Sequence, residues 1–166
     1  MMSLKSKKVL TIVADQYNDL EFWYPFYRLQ EEGVEVHIAG EEAKEYVGQY
    51  GIKAKAEYTF SEIKAEDYDG ILIPGGWAPD KLRRFPEVLE FVRALDQAGK
   101  VIGQICHAGW VLVSADILKG RTVTSTPAIK DDMANAGATW VNEVVVVDDH
   151  IISSRSPADL LEEMKA

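Results

Sequence analysis

The residues of this chain best suited to chemistry are Cys106 and His107, which are adjacent. Val101-Ile102 before them indicates a buried strand, and residues 111–113 after them indicate the apolar face of a helix. A thiol at a strand-to-helix junction lies near unsatisfied backbone N–H groups, whose positive potential is expected to lower its pKa. Because the thiolate is the nucleophile, the pair predicts nucleophilic catalysis, with His107 as a nearby base or cation. The alternative is a small buried hydrophobic side chain.

Polar residues follow other predicted strands at their carboxyl ends. Asn18 and Glu21 come after the first strand, and Thr126 comes after a later one. Ligands of open parallel sheets bind beyond the carboxyl ends of the strands. Taken singly, each segment is also typical of a surface turn, but their shared placement predicts one functional rim.

The segment Pro74-Gly75-Gly76 ends another apolar strand and leads to Trp77 and Asp80. Two glycines let the backbone approach a ligand closely and point N–H groups at it. Together with the N–H group of His107, the N–H groups of Gly75 and Gly76 predict an oxyanion hole near the cysteine sulfur.

Short apolar runs alternate with helical segments along the chain. The predicted strands cover residues 9–14, 34–39, 70–73, 100–105, 121–125, 143–147 and 150–153, with a possible hairpin over 46–58. The predicted helices cover residues 19–32, 87–98, 129–135, the segment after Cys106 and the segment after Ser156. Asn18 is expected to cap the first helix, and Pro25 is expected to kink or divide it. The alternation predicts an α/β sandwich on a mostly parallel sheet.

The composition limits the possible functions. With 166 residues, the chain predicts one domain over residues 1–166. Its net charge of −9 argues against nucleic acid as the main partner. We expect no metal and no cofactor, because one Cys and three scattered His make no zinc pattern and no glycine-rich phosphate loop occurs.

Nothing in the sequence indicates a membrane or an export signal. No apolar run reaches the roughly 20 residues that span a bilayer, and the basic residues 1–8 lack the apolar core of a signal peptide. One cysteine forms no intramolecular disulfide, so the expected location is the cytoplasm. An aromatic cluster predicts a subunit interface of a homo-oligomer, dimer or hexamer. It consists of Phe22, Trp23, Tyr24, Phe26 and Tyr27.

Five segments in order resemble the ThiJ/PfpI family of the class I glutamine amidotransferase-like superfamily, and they are most similar to its PfpI intracellular protease branch. They are residues 14–25 with Asp19-Leu20-Glu21, Pro74-Gly75-Gly76, Ile105-Cys106-His107, residues 129–132 and residues 153–160. The resemblance implies a flavodoxin-like three-layer α/β/α sandwich, with a nucleophile elbow at Cys106 in an unfavourable backbone conformation.

The resemblance also implies roles for individual residues. Cys106 is the nucleophile and His107 its neighbour in a Cys-His-acid set, while Glu21 matches a buried acid that hydrogen-bonds the sulfur. Gly76 and the backbone of His107 match the oxyanion hole. The third member of the set, a Glu donated by a neighbouring subunit in the PfpI branch, corresponds here to the shorter Asp80.

Two further positions depart from the PfpI branch. Asn18 stands where that branch has a Glu, and Thr126 stands where it has a Tyr near the cysteine. Both changes remove groups from the rim and weigh against peptidase activity specifically. Trp77 and Trp110 are expected to cap a small pocket, which favours a small carbonyl compound over a folded polypeptide.

The sequence therefore predicts a cysteine-dependent hydrolase of the PfpI type. It is either peptidase-like or a glyoxalase or deglycase that acts on small reactive carbonyl compounds. One alternative is a redox-responsive stress protein or chaperone, in which Cys106 is an oxidation sensor. Another is a catalytically idle family member kept for oligomer assembly.

Overall fold

A seven-stranded sheet forms the centre of the computed structural model, which describes residues 4–166. Residues 1–3 of the basic N-terminal segment lie outside the described residues. The strands are β1 (Lys8–Ile12), β2 (Glu35–Gly40), β3 (Glu45–Val47), β4 (Lys53–Lys55), β5 (Tyr58–Thr59), β6 (Gly70–Ile73), β7 (Val101–Ile105), β8 (Thr122–Val123), β9 (Thr139–Trp140), β10 (Val145–Asp148) and β11 (Ile151–Ser154).

Six α-helices occur in the described part of the chain. They are α1 (Asp19–Glu31), α2 (Ala78–Leu82), α3 (Pro86–Gln97), α4 (Gly109–Ala115), α5 (Lys130–Asn135) and α6 (Leu160–Glu163). Short 3-10 helices occur at Ala65–Asp67, Cys106–Ala108, Pro127–Ile129 and Pro157–Asp159. Within residues 4–166, no helix is both long and apolar enough to cross a membrane.

The main sheet has the strand order β10-β11-β7-β6-β1-β2-β5. All its neighbouring strands run parallel except β10, which pairs antiparallel with β11. The central strands β1, β6 and β7 are apolar because both faces of the sheet are covered. Leu10, Ile71 and Ile102 from these strands are fully buried in the core. The predicted mostly parallel sheet is confirmed.

Two groups of helices cover the sheet and make a three-layer sandwich. Helix α1 packs against β2 and α6, and α6 packs against β11. Helices α2, α3, α4 and α5 pack against one another, with α3 also on β7. Two small two-stranded sheets, β3–β4 and β8–β9, lie outside the main sheet.

Helix α1 begins as predicted at Asn18. Its side-chain oxygen accepts the N–H groups of Leu20 at 3.1 Å and Glu21 at 3.2 Å, which satisfies two donors of the first turn. The expected division at Pro25 does not occur, because α1 is continuous from Asp19 to Glu31. Burial of Pro25 against the core offsets the single backbone hydrogen bond that a proline cannot donate.

Candidate active site

Cys106 occupies a sharp turn between β7 and the helical segment that continues into α4. Its φ angle is 61°, in the left-handed region that non-glycine residues rarely adopt. Such a conformation costs about 1–2 kcal/mol. The N–H group of Thr126 donates to the carbonyl oxygen of Cys106 at 3.3 Å and helps to hold the turn. The predicted elbow is therefore confirmed as a backbone feature.

The Gly75-Gly76 turn lies directly against this elbow. The N–H group of Gly75 donates to Glu21 Oε2 at 2.7 Å, so this donor holds the acid and is already engaged. Gly76 has φ 74° and pairs with Tyr17 through an antiparallel bridge. The N–H groups of Gly76 and His107 point at the Cys106 sulfur closely enough to lower its pKa. Two of the three predicted oxyanion donors thus converge on the sulfur.

Glu21 is a buried acid beside the thiol, with 3% of its surface exposed. Burial raises the pKa of Glu21 to about 7, and the contacts with the Gly75 N–H group and the Cys106 side chain oppose that rise. Oxygen Oε1 has no partner with good hydrogen-bond geometry within residues 4–166. Glu21 and Cys106 are in close contact and can share one proton.

The thiol does not behave as its position at a helix start predicts. Burial first, and then the negative charge of Glu21, raises the pKa of Cys106 to about 12. These two effects outweigh the lowering of the thiol pKa by the N–H groups of His107 and Gly76. The predicted lowering of the pKa is therefore wrong for a thiol beside an ionised Glu21. Only a protonated Glu21 removes the repulsion and stabilises a thiolate.

His107 provides a second proton acceptor next to the sulfur. Its Nδ1 lies 3.2 Å from Cys106 Sγ. Burial lowers the pKa of His107, which favours the neutral imidazole that can accept a proton. The ring lies between Trp77 and Trp110, with centroid distances of 5.2 and 5.1 Å. Within residues 4–166, Nδ1 makes the one side-chain hydrogen bond of His107, and Nε2 makes none.

The other predicted residues lie around this centre. The Asn18 side chain is engaged in capping α1, and its backbone N–H donates to the Gly75 carbonyl at 3.2 Å. Trp77 is 55% exposed, so its ring forms part of the surface beside His107. Asp80 Oδ2 accepts a hydrogen bond from Arg84 Nη2 at 2.6 Å. The Asp80 carboxylate is therefore held in an exposed ion pair and does not contact His107 of the same chain.

Sequence reasoning missed two buried groups near the site. Glu163 of α6 is 6% exposed and Ser154 of β11 is fully buried. The helical spacing offered one signal, because Glu163 follows the buried Leu160 by three residues and shares its face. Its proximity to Glu21 depends on the packing of α6 against α1, which local pattern does not specify.

Comparison with known proteins gives consistent matches across the chain. The sequence profile of the DJ-1/PfpI family matches residues 7–166. A protein named deglycase PH1704 from Pyrococcus horikoshii is 43% identical over 158 residues, covering 95% of this chain and 95% of that protein. A protein named deglycase PfpI from Pyrococcus furiosus is 41% identical over 158 residues, again covering 95% of each.

A solved structure has the same fold. It is a two-domain protein from Anabaena variabilis with DJ-1/ThiJ/PfpI-like and ferritin-like domains. The superposition has a TM-score of 0.95 and 38% identity, covering 96% of this chain and 46% of the other. This chain therefore spans about half the length of that protein.

Proposed function

This chain belongs to the DJ-1/PfpI family, and on that premise we propose that it is a cysteine-dependent hydrolase of small reactive carbonyl compounds and their adducts. One observation carries the proposal. The sulfur of a residue in a strained turn has an acid, a neutral imidazole and two backbone N–H groups directed at it. That arrangement supplies a nucleophile, proton acceptors and an oxyanion site.

The proposed reaction begins with transfer of the thiol proton to ionised Glu21 or to His107 Nδ1. Cys106 Sγ then attacks the carbonyl carbon, and the electron pair of the C=O bond moves to oxygen. The N–H groups of Gly76 and His107 stabilise that oxygen. For an amide, the C–N bond breaks as nitrogen takes the proton back from whichever group, Glu21 or His107, accepted it from the thiol, and water cleaves the resulting thioester and restores the thiol.

A 2-oxoaldehyde follows the same course without an external oxidant. The sulfur adds to the aldehyde carbon, and the hydrogen on that carbon then moves as a proton, through a base, to the neighbouring carbon. The product is a thioester of a 2-hydroxy acid, which one water hydrolyses. The aldehyde carbon is oxidised and the ketone carbon is reduced, so the electrons balance within the substrate.

Two features favour a small carbonyl substrate over a polypeptide. Trp77 and Trp110 flank the imidazole of His107, which limits the space beside it. The two archaeal relatives reported above are both named deglycases. Peptidase activity, which the resemblance to the PfpI branch also allows, is the competing outcome of the test.

The decisive assay compares glyoxalase, deglycase and peptidase turnover of one preparation, with the Cys106→Ser variant as blank. We expect turnover of methylglyoxal or of its amino-acid adducts well above the blank. Turnover of fluorogenic peptides alone contradicts the substrate class. Equal turnover by protein and blank on every substrate contradicts the proposed function.

Glu21→Gln is expected to change the pH profile of thiol alkylation. In the wild-type protein, Glu21 loses its proton around its pKa of about 7 and can then accept the thiol proton, so thiolate forms from that pH upward. Glutamine accepts no proton, and burial still acts on the thiol, so alkylation should rise in one step above about 9, the ordinary thiol value. Because glutamine carries no negative charge, the thiol pKa should fall from about 12 towards that value, and above neutral pH the variant should react roughly tenfold faster for each unit of that fall.

Iodoacetamide alkylation rates across a pH series give this measurement. Glu31→Gln is the matched control, because Glu31 lies on the same helix and its side chain is 73% exposed. The control should retain the wild-type profile. A profile in Glu21→Gln that coincides with the wild-type profile would show that the acid does not exchange a proton with the sulfur.

We also propose that the active form is a cytoplasmic homo-oligomer, dimer or hexamer, in which Asp80 from a second copy orients His107 through Nε2. Tyr27 and Leu20 on α1 are each 56% exposed, which leaves apolar surface for association. We expect light scattering to give a multiple of the 18.5 kDa chain mass. Tyr27→Glu should lower that mass, whereas Glu90→Lys on the exposed side of α3 should not. A wild-type monomer at micromolar concentration would contradict this proposal.

A second candidate function is redox sensing by Cys106. It is favoured because Cys106 is the single cysteine, so no resolving thiol diverts oxidation into an intramolecular disulfide. The N–H groups of Gly76 and His107 can donate to sulfinate oxygens as well as to a carbonyl oxygen. Mass spectrometry after mild peroxide, combined with absence of turnover on every carbonyl substrate, distinguishes this function from hydrolysis.

A further inference from the structure

A second buried carboxyl group, that of Glu163, lies behind the candidate active site and has no part in the mechanism above. Helix α6, which carries it, packs against both β11 and α1, the helix that carries Glu21. Strand β11 pairs in turn with β7, with Ser154 opposite Ile105, the residue before Cys106. The final helix therefore brings an acid to the same face of the sheet as Glu21.

Three buried oxygen atoms in this region lack a hydrogen-bond partner within residues 4–166. They are Glu21 Oε1, Ser154 Oγ and Glu163 Oε2. Ser154 is close enough to the Glu163 carboxyl to lower its pKa, although their geometry falls short of a hydrogen bond. A buried carboxylate oxygen without a donor is unfavourable. Both carboxyl groups therefore hold their protons more tightly than exposed acids do.

The two acids are also electrostatically coupled. Burial is the main cause that raises the pKa of Glu163 to about 8. The contact with Ser154 lowers this pKa, and the negative charges of Glu21 and Asp159 raise it further. Asp159 is itself neutralised by Arg155, whose Nε lies 2.9 Å from its carboxylate.

The remaining charged groups near α6 are paired or lie at the surface. Glu162 is bound by Lys165 at 2.8 Å, and Tyr24 of α1 is near that lysine. Of the two carboxyl groups whose charges act on Glu163, only Glu21 has no basic partner within residues 4–166.

We propose that Glu163 is a positioning residue for the proton on Glu21: ionised Glu163 favours the proton on Glu21 and thereby raises the fraction of Cys106 that is thiolate. Glu21 is in contact with the thiol and lies on α1, against which α6 packs with the buried Glu163. The charge of ionised Glu163 acts on Glu21 more strongly than on Cys106, so it opposes a second charge on Glu21 and shifts the shared proton from the thiol towards that carboxylate. Only the S–H and O–H bonds change, as the thiol proton passes to the Glu21 carboxylate. The inference rests on the proposed function for the role of the thiolate.

The test is the pH profile of iodoacetamide alkylation in Glu163→Gln. Wild-type protein should show a second rise in rate near pH 8, where Glu163 ionises. Glu163→Gln should lack that rise, with an alkylation rate about tenfold lower than wild type above it. The control is Glu162→Gln on the same helix, whose side chain is 57% exposed, and it should keep both rises. A wild-type profile in Glu163→Gln would overturn the proposal.

A measurement on the unaltered chain keeps the proposal testable if Glu163→Gln does not fold. Carbon-13 NMR of protein labelled at the glutamate carboxyl carbons should show two groups that titrate well above the ordinary range, one of them absent from Glu21→Gln. Titration of every glutamate in the ordinary range would overturn it. These readouts follow protonation rather than turnover, so an inactive protein with a coupled pair contradicts only the proposed function. An active protein without coupling contradicts only this inference.

Discussion

Replacing Cys106 with serine is expected to lower turnover at least about 10³-fold on whichever carbonyl or peptide substrate the protein accepts. Serine is nearly isosteric, but its hydroxyl group holds its proton far more tightly than a thiol and is a poorer nucleophile at neutral pH. Glu21 is tuned by burial to a pKa of about 7, which is too low to take a proton from an alcohol efficiently. The loss should appear in kcat, with little change in the thermal midpoint of unfolding.

Wild-type protein alkylated at Cys106 is the matched control, because its chain is unchanged and its sulfur is blocked. As Cys106 is the single cysteine, alkylation modifies no other thiol. Both preparations should be inactive. Substantial turnover by the serine variant would remove Cys106 from the chemistry and leave only the fold.

Gly76→Ala is expected to destabilise the protein by about 3 kcal/mol, which combines left-handed strain with forced repacking. The φ angle of Gly76 is 74°, and an added Cβ would lie 2.5 Å from the Gln16 carbonyl oxygen and 2.6 Å from the Asn18 nitrogen. Both atoms belong to the backbone, so neither can rotate away. The turn must move, which also withdraws the Gly76 N–H group from the Cys106 sulfur and lowers turnover in the fraction that folds.

Gly99→Ala separates the two causes. Gly99 has φ 64°, but a Cβ there meets no atom within 4 Å. It should show the strain alone, about 1 kcal/mol. Urea unfolding of both variants measures the difference. Equal destabilisation of the two would show that the approach of Gly76 to the chain at residues 16–18 is not a tight contact.

Much of the fold and the rim of the site follows from local pattern. Apolar runs such as Ile71–Ile73 predict buried strands because side chains pack on both faces of a parallel sheet. Asn18 predicts the start of α1 because its oxygen satisfies donors that every helix leaves free. Glu21, Gly76 and Cys106 are therefore predicted at one edge of the sheet, because each follows the carboxyl end of a strand.

The protonation of the site depends on tertiary structure. A helix start predicts a lowered thiol pKa, but burial and the charge of Glu21 raise the pKa of Cys106 to about 12. Burial of a group sums the desolvation from elements far apart in the chain, and no sequence window contains that sum. For the same reason only the packing of α6 on α1 reveals Glu163 near Glu21. Local sequence determined which residues reach the rim, and packing decided which of them hold a proton there.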